Sequence, residues 1–88
     1  MDIKEIIGRN YYTNKRRGLI TGKSDEIDFM AKLEEELHEL IESTVLERRT
    51  DKKKLADIVL VCFSMAKHFN IDLLKVMEEK VLINEKLR

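Results

Sequence analysis

The chain has 88 residues, and 17 Lys and Arg balance 17 Asp and Glu, so its net charge is zero. That length allows one small domain, burying about 60–65% of its unfolded surface, and the single cysteine, Cys62, excludes an internal disulfide. No apolar run of about 18 residues and no N-terminal signal sequence appears, so a cytoplasmic protein is expected, and overall neutrality argues against general nucleic-acid binding.

The charge is unevenly spread. Residues 1–23 hold six basic and two acidic side chains, 24–47 hold nine acidic and one basic, and 48–88 hold ten basic and six acidic. A concentrated acidic segment asks for a cation. All three glycines precede residue 23 and there is no proline, so punctuation is confined to the N-terminal quarter. Residues 1–23 read as a basic N-terminal arm and 24–88 as a helical domain. Within the arm, Tyr11 and Tyr12 are positioned to stack on a base while Lys15, Arg16 and Arg17 meet phosphates. Alternatively, the arm packs on a neighbouring subunit's acidic helix with its tyrosines buried.

Ser24 is a good N-cap for the first long helix, with Asp25 and Glu26 favourable in its first turn. Met30, Leu33, Leu37, Leu40 and Ile41 follow at helical spacings, predicting a helix to about Arg48 with an apolar stripe centred on Leu33, Leu37 and Leu40. Glu36 then falls on the edge of the stripe, Glu39 one step further round and Glu35 beyond it. Glutamates three and four apart repel, and a divalent cation with hard oxygen ligands, Mg²⁺ or Mn²⁺, reverses that cost. The plainer reading is that Glu34, Glu35, Glu36, Glu39 and Glu42 form a solvated face. His38, set among them, is expected to face solvent.

Residues 48–53 form a polar connection in which Thr50 or Asp51 caps a second helix over 52–69. That helix is apolar almost all round, the pattern of one buried on every side, and a chain this short needs a partner to bury it. Asp57 is its one acidic residue, and a buried carboxylate must be paired, hydrogen-bonded or metal-bound. Cys62 reads as a small buried hydrophobe and His68, near the helix end, as solvent-facing. Asn70 tolerates the left-handed conformation that ends helices, and Asp72 caps a third helix from Leu73 onward. Lys80 and Asn84 share the face of Leu73, Met77 and Leu87, with Arg88 at its edge. They suit an anionic ligand or inter-subunit ion pairs equally. Phe29, Met30, Phe63, Met65, Phe69 and Met77 are expected in the core of an antiparallel all-α bundle, dimeric or larger.

The segment Lys-Leu-Glu-Glu-Glu-Leu-His-Glu-Leu at 32–40 resembles the EExxE signature of the MazG-like nucleotide pyrophosphohydrolases, with Glu35, Glu36 and Glu39 as its glutamates. Lys-Leu-Ala-Asp at 54–57 stands in the place of that family's ExxD. Asn-Ile-Asp-Leu at 70–73 resembles its Gly-Ile-Asp-Leu turn, and Lys80, Asn84 and Arg88 resemble its K-x3-N-x3-R ending. The resemblance covers residues 29–88.

It implies a MazG-type helical bundle assembled as a homodimer or homotetramer. It also implies Mg²⁺-dependent cleavage of NTPs or dNTPs to a monophosphate and pyrophosphate. Glu36, Glu39 and Asp57 would hold metal, Glu35 would hold metal or orient the attacking water, and Lys80, Asn84 and Arg88 would contact the nucleotide. One position departs from the pattern: Lys54 replaces the first Glu of ExxD. A protonated ammonium has no lone pair and ligates no cation. Lys54 therefore either meets a substrate phosphate, or pairs with Asp57 or Glu39, or points into solvent. The second outcome describes a catalytically silent relative used in nucleotide sensing or protein contact.

Overall fold

The computed structural model describes residues 1–87, and every regular element in them is a helix. In chain order these are α1 (Ile3–Arg16), α2 (Glu26–Glu47), α3 (Lys52–His68) and α4 (Leu73–Lys86). Each begins on an aspartate whose carboxylate accepts a first-turn backbone N–H: Asp2, Asp25, Asp51 and Asp72. Four of the acidic residues are thus committed to otherwise unpartnered helix-end donors.

The all-α class and the three predicted helices from residue 24 onward are present, with two local changes. The cap of α2 is Asp25, which exchanges hydrogen bonds with Asp28 in a capping box. Ser24 instead accepts the Thr21 N–H through its Oγ, 3.0 Å away. Arg48 (φ 55°) and Asn70 (φ 57°) close α2 and the turn after α3 in left-handed backbone. The asparagine fits that role; the arginine adopts it at some steric cost.

The larger difference lies at the N-terminus, where the expected arm contains a helix. Through α1 it packs on its own chain, against α3. Tyr11 is buried with Ile20 and Phe29, and Met65 and Phe69 pack against that cluster. Tyr11 is therefore not free to stack on a base, whereas Tyr12 is exposed. Lys67 lies over both tyrosine rings, and Lys15 over that of Tyr11.

His68 is part of this core, against the solvent-facing expectation. Its Nε2 lies 2.9 Å from the Ser24 carbonyl oxygen, which only accepts, so Nε2 carries a hydrogen. In the neutral ring Nδ1 is then an acceptor, and the Tyr11 hydroxyl donates to it across 2.9 Å. One imidazole thus ties α1, α3 and the start of α2 together. Tyr11→Phe removes the donor and strands a half-buried acceptor, so we expect a loss of about 1–2 kcal/mol. The urea midpoint, read at constant slope, measures it.

Many large apolar side chains stay on the surface of the chain. Phe29, Phe63 and Ala66 are buried, but Met30, Leu37 and Ile41 on α2, Leu55 and Val59 on α3, and Met77 on α4 are exposed. The buried face of α2 runs instead through Phe29 and Glu36, so the expected stripe is rotated. The second predicted helix is not enclosed on every side, and Cys62 is only half-buried. No residue of α4 is buried, and the radius of gyration is 14.7 Å, against about 12 Å for a packed domain of this length. Among the described residues no helix is long and apolar enough to cross a membrane.

Candidate functional site

A cleft of about 680 Å³ opens between α1, the 17–25 connection, α2 and α3. That lies within the range of small-molecule sites, about 300–1,000 Å³. Asn10 and Asn14, one turn apart on α1, and Arg17, which caps its end, form one wall. Asn10 is fixed by donating its Nδ2–H to Ser64 Oγ, 3.1 Å away. Phe29, Leu60 and Val61 add apolar surface, while Asp28, Glu35, Glu36 and Asp57, with Lys32 among them, give α2 and α3 an acidic wall.

The acidic wall follows from how α2 meets α3. Because α2 turns its Phe29–Glu36 line toward α3, Glu36 is carried into the interface, where its side chain keeps 9% of its exposure. Lys32, one turn earlier, places Nζ 3.1 Å from Glu36 Oε1 and 3.8 Å from Glu35 Oε1. The other oxygen, Glu36 Oε2, is buried and receives no hydrogen bond. An orphaned carboxylate oxygen is costly, and such atoms in native proteins accompany local strain, a catalytic role, or a bound water or ion.

From α3, Lys54 reaches between the carboxylates. Its Nζ lies 2.5 Å from Glu39 Oε2, 3.6 Å from Glu36 Oε2 and 3.9 Å from Asp57 Oδ2. The hydrogen bond to Lys54 lowers the Glu39 carboxyl below its ordinary 4.5, and the same bond raises Lys54 above 10.5. Both stay charged throughout the neutral range. At the foot of α3 the Lys54 backbone N–H donates to Asp51 and holds that carboxyl below its usual value. Lys32 is likewise raised, chiefly by its hydrogen bond to Glu36.

Glu36, Glu39 and Asp57 are thus neighbours, as the spacing on two helices suggested, and Glu35 stands on the cleft rim. Asp57 is not the buried charge expected: its side chain is 48% exposed, so solvent and Lys54 already stabilise it. Among the described residues no three Asp, Glu, His or Cys side chains close on one point as a ready metal cage. The three carboxylates surround an ammonium instead. Their chemistry still fits a hard divalent cation, since all are oxygen donors and one buried oxygen has no partner.

Lys80 and Asn84 lie exposed on α4, outside the walls of this cleft. Arg88 falls outside the described residues. His38 is exposed and pairs with Glu42. Sequence reasoning missed Lys32, Asn10 and Asn14. The four-residue step from Lys32 to Glu36 was a usable signal for the first, and nothing in the spacing marked the two asparagines. Comparison of the chain with family models, with curated proteins and with solved structures returns no match.

Proposed function

We propose that this chain is a MazG-like nucleoside triphosphate pyrophosphohydrolase, converting an NTP or dNTP to its monophosphate and pyrophosphate. Mg²⁺ is its cofactor, Mn²⁺ a substitute, and nucleotide-pool housekeeping its role. The observation that carries this reading is the orphaned oxygen of buried Glu36, beside Asp57 at the acidic wall of a nucleotide-sized cleft. The ordered motifs at 35–39, 54–57, 70–73 and 80–88 support it.

In this reading Glu36, Glu39 and Asp57 hold the cation, which when bound neutralises phosphate charge and lowers the pKa of an attacking water. Glu35, more exposed and on the rim, orients that water. Lys32 steadies Glu36 from its far side. Lys80, Asn84 and Arg88 keep their nucleotide-binding role on the strength of the motif alone. A homodimer or homotetramer covers the apolar surfaces left open on α2, α3 and α4.

A second reading has its own observation. Lys54 already sits where a cation is wanted, which suits a catalytically silent helical oligomer used in nucleotide sensing or protein contact. Pyrophosphate release from a panel of NTPs and dNTPs with Mg²⁺ or Mn²⁺ separates the two. The enzyme reading expects turnover by the wild type and its loss in Asp57→Asn. Turnover unchanged by that substitution removes Asp57 from the site. Silence in the wild type together with activity in Lys54→Glu identifies a site switched off by one residue.

A further inference from the structure

Lys54 has two properties that pull against each other. Its backbone is fixed, because the first turn of α3 is capped by Asp51, which accepts the Lys54 N–H at 3.1 Å. Its side chain is not: it is about a third exposed and ends in a compact ammonium on a flexible four-carbon stem. The Nζ satisfies Glu39 directly, yet stands 3.6 Å from Glu36 Oε2, too far for that oxygen to gain a hydrogen bond. Lys54 therefore neutralises the acidic cluster without completing it.

The charges facing Nζ are the three carboxylates of Glu36, Glu39 and Asp57, and one ammonium leaves that group doubly negative. Lys32 offsets Glu35 and the outer oxygen of Glu36, and does not reach the inner face. A divalent cation is still attracted, but it must share the site with Nζ or displace it, and like charges a few ångströms apart repel strongly even near a protein surface. Displaced into empty solvent, the ammonium loses its partners. Lys54 stands behind the cleft wall, 3.6 and 3.9 Å from Glu36 and Asp57, which do line it, so an ammonium displaced past them meets whatever anion is bound there.

We propose that Lys54 is an exchangeable internal cation that couples metal to nucleotide. It fills the carboxylate cluster when the cleft is empty and transfers to the phosphates when a metal–nucleotide complex enters. Metal alone and nucleotide alone then bind weakly, and each strengthens the other by the same factor. The identity of the anion as a nucleoside triphosphate rests on the pyrophosphohydrolase reading above; the competition between Lys54 and metal rests on the carboxylate geometry.

The test is binding, not turnover. Mn²⁺ is titrated into wild type, Lys54→Gln and Lys54→Arg, with free Mn²⁺ read by electron paramagnetic resonance. Each titration is run alone and with the α,β-imido analogues of the four common dNTPs. Lys54→Gln should bind Mn²⁺ alone about tenfold more tightly than wild type, and the strengthening produced by nucleotide should shrink by a similar factor. Lys54→Arg keeps the charge and the α2–α3 link, so it should stay weak for metal alone; this holds the test open if the glutamine variant unfolds. Mn²⁺ affinities within twofold across the three proteins, or an arginine variant as tight as the glutamine one, overturn the coupling. Wild-type pyrophosphate release in the same preparation would then leave the enzyme reading standing. No Mn²⁺ binding by any of them, even with nucleotide, removes both.

Discussion

In the proposed pyrophosphohydrolase, Glu36→Leu should lower pyrophosphate release by roughly 100-fold or more while the melting temperature holds or rises. The two halves of that result have one cause. Glu36 is nine-tenths buried at the α2–α3 interface, with one oxygen on Lys32 and the other 3.6 Å from the Lys54 ammonium without a hydrogen bond. Removing an ionised carboxylate from water costs several kcal/mol, and two partly exposed lysines, only one of them within hydrogen-bond distance, do not return all of it. Leucine has similar reach, no charge to desolvate, and apolar neighbours in Phe29, Leu60 and Val61 along the same cleft. Buried ion pairs replaced by well-packed hydrophobes are often neutral or stabilising by about 1–4 kcal/mol. Neither lysine is stranded, since Lys32 retains Glu35 and Lys54 retains Glu39 and Asp57.

A residue whose replacement stabilises the fold has a use elsewhere, and in the proposed enzyme that use is holding the cation. Thermal melts read beside the pyrophosphate assay check both halves. A large drop in melting temperature makes Glu36 a structural ion-pair member. Unchanged turnover takes it out of the site.

What the residues disclosed in advance, and what they withheld, divides along a physical line. Signals acting within one turn were readable. Asn70 in left-handed backbone, Asp72 and Asp51 as caps, and the helix end at Arg48 all depend on neighbours a few positions away. The helix α1 went unread although its ends carry ordinary signals, Asp2 as cap, Glu5 in the first turn and Lys15 and Arg16 in the last, because its middle is poor in helix formers. Gly8, Asn10, Tyr11, Tyr12, Thr13 and Asn14 are weak helix formers, and what holds them helical is the packing of Tyr11 against Ile20 and Phe29.

The rotation of α2 was hidden for a similar reason. Leucines at 33, 37 and 40 outweigh one glutamate on any hydropathy scale, yet Glu36 is buried and Leu37 is not. An exposed apolar stripe and a buried carboxylate on one helix cannot both follow from amphipathicity. The EExxE resemblance named Glu35, Glu36 and Glu39 alike, and the periodicity set Glu36 only on the edge of the stripe, so neither picked out the buried one. His68 shows the same limit: its value lies in Tyr11 and Ser24, 57 and 44 residues away along the chain. The acidic walls of the cleft were thus legible as a set, while the amide wall of Asn10 and Asn14 required the fold.

Phe29→Ala should lower stability by about 3–5 kcal/mol, a large fraction of the total. Phe29 keeps only 6% of its exposure and joins two helices and a connection. Its ring centroid stands 5.2 Å from that of His68 and 5.8 Å from that of Phe69, and Tyr11 and Ile20 complete the cluster. Truncating a buried phenylalanine costs about 3–5 kcal/mol in lost burial and residual cavity. A chain of this length has a total stability of only about 4–13 kcal/mol, and this core is small even for its size. No fully buried large side chain is present among the described residues to take up the loss.

Phe29→Leu keeps most of the volume and forfeits the aromatic contacts, so it should cost about 1–2 kcal/mol and remain folded. Urea titrations followed by far-UV circular dichroism compare the three proteins. If alanine and leucine variants unfold at the wild-type midpoint, the Tyr11–Ile20–Phe29 cluster does not hold the fold together. If the alanine variant regains its midpoint at high protein concentration, the missing core is being supplied by a second copy through the open faces of α2, α3 and α4. Stability would then depend on protomer concentration, as it does wherever the folded unit is the oligomer.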